Sequence, residues 1–471
     1  MKVLLVATNR ERSPYPVAPV GVLCVAAAAR AAGHEVDFLD LGLSLAPQRT
    51  LRKALEAARA YQAVAFGIRN LDNCWAFAPR LYFDGVRELA ETVRRCFKGP
   101  LILGGSGFSV SPHGWMRRLG ADCGVIGEGE RAFPEVLARL ETGRSLEGVD
   151  GVITAPNLNH SASVLPAKLI ERLSELAPPA HELCGYAPYV RRGGFVGVQT
   201  KRGCPFKCIY CVYPQLEGRR YRLRPPEAVA DEIEAVVVRT KLQHFFIVDS
   251  VFNDPREHAM AVCQAISRRR LPVQWNAFCN PVGFDAELAR AMAQAGCTGV
   301  EFGLDAATPK MLEAMGKPFG QEEIRIALEA VRAAGLPFLL SMLFGGPGET
   351  WADIEEAQTF LNGCAPANSV FASYGIRIYE GTELAGVATR EGSLERDQDL
   401  FAPAYYLSPA LAESTVEKLD RIARRRPEWS SPADWRRPIM RWAQKVTILL
   451  DVRPQWKHIK GYGQHMRPRL K

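Results

Sequence analysis

Lys201-Arg-Gly-Cys-Pro-Phe-Lys-Cys-Ile-Tyr-Cys-Val-Tyr-Pro214 follows directly on an apolar run, Phe195-Val-Gly-Val-Gln-Thr200. It sets Cys204, Cys208 and Cys211 in a C-x-x-x-C-x-x-C spacing, three thiols on one turn. Thiolates that close together can grip a single metal centre. A zinc site built from them would want a fourth Cys or His at a usual distance, commonly in C-x-x-C pairs, and no such partner follows Cys211. A four-iron four-sulfur (4Fe-4S) cluster also takes four cysteines as a rule. Supplied with three, it keeps one iron open to another ligand, and that is the reading the spacing favours.

Downstream of the triplet, strand and helix patterns alternate to about Gly381. Strands are expected at Phe195–Thr200, His244–Val248, Val273–Phe278, Gly299–Gly303, Phe338–Leu343 and Val370–Ile378. Helices are expected at Glu227–Arg239, Glu257–Arg269, Asp285–Gln294, Glu322–Ala334 and Trp351–Asn362. Six such units suit a partial β/α barrel, whose functional side chains belong at the C-terminal ends of its strands. Those ends carry Asp249, Asn276 and Asn280, Glu301 and Asp305, the turn Gly345-Gly-Pro-Gly-Glu-Thr350, and Arg377 with Tyr379.

Upstream, strands are expected at Lys2–Ala7, Val36–Leu41, Ala63–Ile68, Leu101–Leu103 and Cys123–Ile126, with helices such as Val20–Ala32 and Leu51–Tyr61 between them. Buried β-branched runs separated by helices predict a doubly wound, Rossmann-like parallel sheet, which binds ligands outside the carboxyl ends of its strands. Thr8-Asn-Arg10, Arg69-Asn-Leu-Asp-Asn73, Gly104-Gly-Ser-Gly107 and Gly127-Glu-Gly-Glu130 stand there. Gly104–Gly107 follows the fourth strand rather than the first, so it is a poor dinucleotide fingerprint; glycines there let backbone N–H groups approach a bulky ligand. His34 is expected in solvent, in the turn before the second strand. The α/β chain is thus divided into residues 1–145, a linker 146–193 with a short helix near Ile170–Leu176, a barrel 194–390 and a basic helical segment 391–471.

The layout resembles the cobalamin-binding branch of the radical S-adenosylmethionine (SAM) enzymes. The resemblance covers roughly residues 1–385, and the Cys triplet, with aromatic Tyr210 before its third Cys, is its most specific part. In that family the open iron chelates SAM, and an electron from the cluster splits it to methionine and a 5′-deoxyadenosyl radical. The resemblance implies that Cys204, Cys208 and Cys211 hold the cluster and that Tyr210, Asp249, Asn276, Glu301, Asp305, Gly346 and Arg377 border SAM, with Tyr379 at the reacting centre. Asp249-Ser-Val-Phe stands for the family's "D-D-x-F" turn; Asp305-Ala306 departs from its usual Glu-Ser. Cobalamin would be bordered by Asn9, Arg69, Asn70, Gly104, Gly105, Ser106, Gly127, Glu128 and Gly129. The D-x-H-x-x-G motif that supplies a cobalt-ligating His elsewhere is absent from the sequence, so Arg69-Asn70 would face the lower side of the cobalt.

The implied activity is C-methylation of an unactivated carbon in a natural-product or lipid precursor, by way of methylcobalamin. The alternative is a rearrangement, ring-forming or ring-contracting reaction that uses cobalamin without methyl transfer. Expected partners are a small-molecule, lipid or peptide substrate and an electron donor such as flavodoxin or ferredoxin. The 471 residues carry a net charge of +8, but residues 421–471 hold 14 Lys/Arg against 3 Asp/Glu. Trp429, Trp435, Trp442 and Trp456 interleave with that charge, a pattern suited to peripheral membrane contact or to covering the barrel mouth. No nucleic-acid partner is expected, because no RNA-binding module is visible. Isolated cysteines at apolar positions, an oxygen-sensitive cluster and an N-terminus without a signal pattern predict a cytoplasmic protein.

Overall fold

The apolar run Lys2–Ala7 is buried along almost its whole length, which only a sheet covered on both faces allows. The computed structural model describes residues 1–57, 60–155, 166–364, 369–414, 418, 429–435, 438–450 and 456. In it β1 (Lys2–Ala7) lies between β2 (Glu35–Asp40) and β3 (Ala63–Gly67), with β4 (Leu101–Gly104), β5 (Cys123–Val125) and β6 (Val152–Thr154) following outward from β3. The first five strands run parallel, and β6 runs antiparallel to β5. Alternate side chains serve two cores. Leu4, Val6, Val64, Phe66 and Leu103 pack on helices Pro47–Ala57 and Phe83–Cys96. Val3, Leu5, Ala65 and Ile102 pack on Val20–Ala31 and Gly129–Glu141. The order 2-1-3-4-5-6 reverses direction at β1, so a crevice opens beyond the carboxyl ends of β1 and β3.

The second sheet begins with β7 (Val196–Val198). A short antiparallel pair, β8 (Lys201–Arg202) and β9 (Arg222–Leu223), frames the cysteine loop. Then β10 (His244–Ile247), β11 (Gln274–Cys279), β12 (Cys297–Asp305), β13 (Phe338–Phe344) and β14 (Ser369–Tyr374) add in sequence order, all parallel. At Gly375 (φ +73°) the chain leaves the sheet, and β15 (Ile376–Arg377) pairs instead with β16 (Tyr405–Tyr406). The single strand expected over Val370–Ile378 is therefore two. A further strand, β17 (Trp429–Ser430), joins beyond β14. Two residues are too few for a periodic signal; what seats them is the Trp429 ring, stacked on Phe344 at 5.9 Å.

Other differences have equally local causes. The first sheet takes in Val152–Thr154, so it ends later than residue 145. The short helix near Ile170–Leu176 is a single 3₁₀ turn, Leu173–Glu175. In the basic segment expected to be helical, Pro409–Ser414 form a 3₁₀ turn; Arg424–Arg426, like Arg436 and Arg437, lies outside the described residues. His34 is buried, its ring against the N-terminal amine at 3.2 Å and the Pro134 carbonyl at 3.3 Å. Among the described residues no helix is long and apolar enough to cross a membrane.

The two sheets meet carboxyl end to carboxyl end across buried ion pairs. Glu128, at the exit of β5, takes two bonds from Arg222 (2.7 and 2.8 Å), one from the Ile170 amide (2.8 Å), and lies 3.2 Å from Arg202. Arg202 also binds Glu130 at 2.5 Å. At the far side Arg377 binds Asp72 at 2.8 Å, both fully buried. Burial alone would raise the Glu128 pKa, but the Arg222 bonds and the Arg202 charge outweigh it and hold the carboxyl below its ordinary 4.5.

Removing one member of such a pair strands the other in the interior, at a cost of roughly 3–5 kcal/mol. Glu128→Ala should therefore lower the midpoint of thermal unfolding at neutral pH. Because the folded pKa is depressed, the Glu128 contribution is complete above pH 4.5 and is lost as the pH falls through the lower folded value. In melts taken across pH, the gap between wild type and variant should close on acidification and stay constant from pH 5 to 8.

Candidate active site between the two sheets

The cysteine loop is anchored before its first ligand. Asp249, at the exit of β10, accepts from the Thr200 amide (2.7 Å), the Thr200 hydroxyl (2.5 Å), the Lys201 amide (3.3 Å) and the Lys201 ammonium (3.1 Å). Lys201 is itself fully buried and donates to the Phe252 carbonyl at 2.8 Å. This corrects the expectation that Asp249 borders SAM: its oxygens are filled by the loop whose entry they set. Further on, the Cys204 amide donates to the Gly218 carbonyl (3.0 Å), Ile209 to Met315 (3.2 Å) and Cys211 to Cys208 (3.1 Å). Burial pushes all three thiols above their ordinary range, Cys211 to about 12, so metal binding here would release protons.

A cation missing from the sequence reading stands beside them. Lys317 is buried, binds Asp305 at 2.6 Å and the Gly303 carbonyl at 3.1 Å, and lies 3.3 Å from the Tyr210 hydroxyl. Burial would lower its pKa; the charges of Asp305 and Cys208 reverse that and raise it. In return Lys317 opposes the burial that raises Cys208. Tyr210 donates to Asp305 at 2.5 Å. Asp305 holds a left-handed backbone (φ +60°) where the register of β12 against β13 slips, a strained geometry that aims its carboxylate at the cysteine loop. Tyr210 and Asp305 thus meet on Lys317.

Deeper in the barrel, Val300, Phe302 and Leu304 of β12 face the helices, so Glu301 faces the concave side. Its neighbour in register on β11 is Phe278, which is 43% exposed in mid-strand and packs edge-on against Phe246. Asn276 also faces inward and accepts from the Thr298 hydroxyl at 2.9 Å. Burial pushes the Glu301 carboxyl up to about 7, opposed by the Trp456 indole N–H beside it. At the exit of β13, Gly346 lies so close to Met311 and Met315 that an added Cβ would stand 2.8 Å from the first. Glu349 does not cap the next helix; it folds back to accept from the Gly345 and Gly346 amides, while Thr350 and Asp353 exchange the capping bonds.

Between the sheets lies a cavity of about 600 Å³. The first domain contributes Asn9, Arg69, Asn70, Gly104, Gly105, Ser106, Gly127, Glu128 and Gly129; the barrel side contributes Gln199, Tyr213 and Tyr379 among others. Nine residues singled out in the sequence for one ligand therefore share one wall. The glycines have a further reason: a Cβ on Gly105 (φ +99°) would stand 2.5 Å from the Ile68 carbonyl oxygen, and one on Gly107 2.6 Å from the Asn70 backbone. The turn after β4 is thus clasped to the exit of β3. Among the described residues the Arg69 guanidinium has no hydrogen-bond or ion-pair partner, and its surroundings, mainly through burial, lower its pKa. Two of the expected cofactor contacts are engaged within the protein. Glu128 lines the cavity but is consumed by Arg222 and Arg202. Arg377 gives N–H groups to Asp72 and to the Leu400 and Ile378 carbonyls. It also lies 4.6 Å over the Tyr379 ring, whose hydroxyl is 3.0 Å from the Cys74 sulfur. Cys74 carries no sequence signal, and Asp72 stands out only within the strand-end run Arg69–Asn73; the docking of the two sheets brings them toward Arg377 and Tyr379.

Comparison with known proteins agrees with this division. Residues 198–361 match the radical SAM superfamily model and residues 8–137 the B12 binding domain model. Tryptophan 2-C-methyltransferase of Streptomyces laurentii is 30% identical over 73% of this chain and 67% of its own. An uncharacterised methyltransferase of Pyrococcus horikoshii is 27% identical over 76% of this chain and 77% of its own. The structure of the radical SAM methyltransferase TsrM from Kitasatospora setae, with cobalamin and a [4Fe-4S] cluster bound, superposes with a TM-score of 0.84 at 25% identity, covering 99% of this chain and 98% of that one. A B12-binding sheet docked on a radical SAM barrel defines the class. The chain belongs to the cobalamin-dependent radical SAM methyltransferase family.

The residues present fit the cofactors of that family. Among the described residues no three His, Cys, Asp or Glu side chains converge tightly enough to hold one ion, and a cubane does not ask for that: each thiolate takes a different iron. On the other side, the Asn9 side-chain amide nitrogen is buried without a partner among the described residues, and the cavity it lines contains no His. An open wall of small residues and an unused amide suit a large planar ligand rich in acceptors.

Replacing Cys204, Cys208 or Cys211 singly by Ala should abolish the iron–sulfur absorbance and the bound iron after anaerobic reconstitution. Cys96→Ala, at an exposed position, should retain both.

Proposed function

We propose that this protein is a C-methyltransferase whose acceptor is a small aromatic molecule of the tryptophan or indole type. The observation that carries the reading is the single cavity shared by the glycine turns of the first sheet and the residues flanking the cysteine loop. A corrinoid held at the first wall and SAM held beside the cysteine loop would share that volume. The named activity of the Streptomyces laurentii relative, which methylates tryptophan, supports the choice of acceptor.

Bound there, the cluster and SAM would supply reductive cleavage chemistry and cobalamin a transferable methyl group. The chain's own part is to bind, orient and exclude water. Arg69, in the cavity wall and without a partner among the described residues, offers a cation and no lone pair while protonated, and would border a corrinoid held there. Tyr379 and Cys74 keep their protons at neutral pH, because burial raises both, Cys74 to about 11; they act there as donors rather than anions. The Lys317 ammonium holds Asp305 and Tyr210 in place beside the cysteine loop.

Two measurements check this. Anaerobically loaded enzyme given a reductant, tryptophan and SAM deuterated in its methyl group should yield S-adenosylhomocysteine and a labelled, methylated product. Deoxyadenosine formed without any label leaving SAM would overturn methyl transfer and favour a rearrangement or cyclisation. In the cobalamin-loaded protein, Arg69→Ala should shift the visible corrinoid spectrum, while Arg95→Ala, on an exposed helix face, should leave it unchanged.

A further inference from the structure

The C-terminal segment closes the open side of the barrel. Strand β17 extends one edge of the sheet beyond β14, and the helix Pro438–Leu449 follows it. Gln444 of that helix donates to the Pro14 carbonyl. Next to Pro14, Tyr15 packs on Phe195 at 5.3 Å, immediately before β7 at the opposite edge. The helix therefore bridges the two edges that a partial barrel leaves apart.

Past this helix, Trp456 reaches back to Glu301 on β12, the central strand of the sheet. Its indole nitrogen is buried, faces the Glu301 carboxylate, and falls short of full hydrogen-bond geometry with any acceptor among the described residues. Around Glu301 the concave face is aromatic: Phe195, Phe246 and Phe278 form an edge-to-face ladder with centroids 5.9 and 5.0 Å apart. A half-buried carboxylate beside aromatic edges is a receptor for a flat apolar ring that carries one N–H.

We infer that Glu301 and the Phe246–Phe278 wall form the recognition site for the N–H edge of an indole-like acceptor, and that Trp456 occupies it as an internal stand-in until substrate displaces it. This deepens the methyltransferase reading, on which it rests for the class of acceptor. The imperfect geometry of the Trp456 N–H makes it a weak competitor: a substrate free to align its own N–H with Glu301 gains a bond that the tethered ring does not complete. Specificity follows from the same carboxylate, since a ring without the N–H cannot make the bond to it.

The test is calorimetric titration of indole and of 1-methylindole into the full chain loaded with cluster and cobalamin. If Trp456 fills the site most of the time, Trp456→Ala should tighten indole binding by roughly fivefold or more, the inverse of the fraction open in the wild type. Adding Glu301→Gln should lose most of that gain, and 1-methylindole should gain little in either background. Unchanged indole affinity in Trp456→Ala, or an equal gain for 1-methylindole, overturns the proposal. Should the Ala variant fold poorly, Trp456→Phe keeps the ring and deletes the N–H; tighter indole binding then supports the proposal and unchanged binding refutes it. Binding needs no chemistry, and transfer of the SAM methyl to bound cobalamin is followed separately. Loss of that transfer with indole binding intact would count against the methyltransferase reading alone.

Discussion

A single buried carboxylate fixes the relation on which everything functional depends. Two open parallel sheets, each with its ligand end at the carboxyl termini of its strands, make a shared chamber only if those ends are held face to face. Glu128 leaves the first sheet and is clasped by Arg222 from the strand pair framing the cysteine loop and by Arg202 of the same pair. The loop that supplies the thiols is thus tied, through its own frame, to the turn that lines the opposite wall. Arg377 and Asp72 repeat the device at the far side of the cavity. Charges in the interior are costly unless paired and fully bonded, so these pairs stabilise one docking geometry rather than a range of them.

A second buried carboxylate works one level down. Asp249 gathers two amides, a hydroxyl and an ammonium from the two residues that precede the loop. The loop leaves β7 in one direction, and its amides are then tied to Gly218, Met315 and Cys208. Strain is stored nearby, at Asp305, where a left-handed residue and a slipped register point a carboxylate toward Lys317 and Tyr210. Such an arrangement persists only where surrounding contacts over-determine it, and the buried ion pair with Lys317 is one of those contacts.

Much of this was legible along the chain. The strands of both sheets announced themselves through buried apolar runs, and the ends of those runs located the glycine turns, Asn9, Arg69 and the thiols. Contact assignments were another matter. Asp249, Glu128 and Arg377 sit at ligand-facing strand ends, as a binding residue would, yet each is engaged by protein partners distant in sequence. Lys317 lies in an unremarkable turn, Met315-Gly-Lys-Pro318, and becomes part of the site only because that turn folds over the cysteine loop. Strand β17 escaped notice for a similar reason: it has two residues, and its place is set by a ring stack on Phe344.

The sequence by itself determined the local chemistry: which segments are strands, where three thiols lie within reach of one cluster, and where a backbone without side chains admits a large ligand. These follow from periodicity and spacing, which are properties of neighbours along the chain. Only the tertiary structure decided which charged groups remain free for a ligand and which are spent on holding the sheets together. A carboxylate's availability depends on what reaches it from elsewhere, and its partners here lie up to about three hundred residues away, between Asp72 and Arg377.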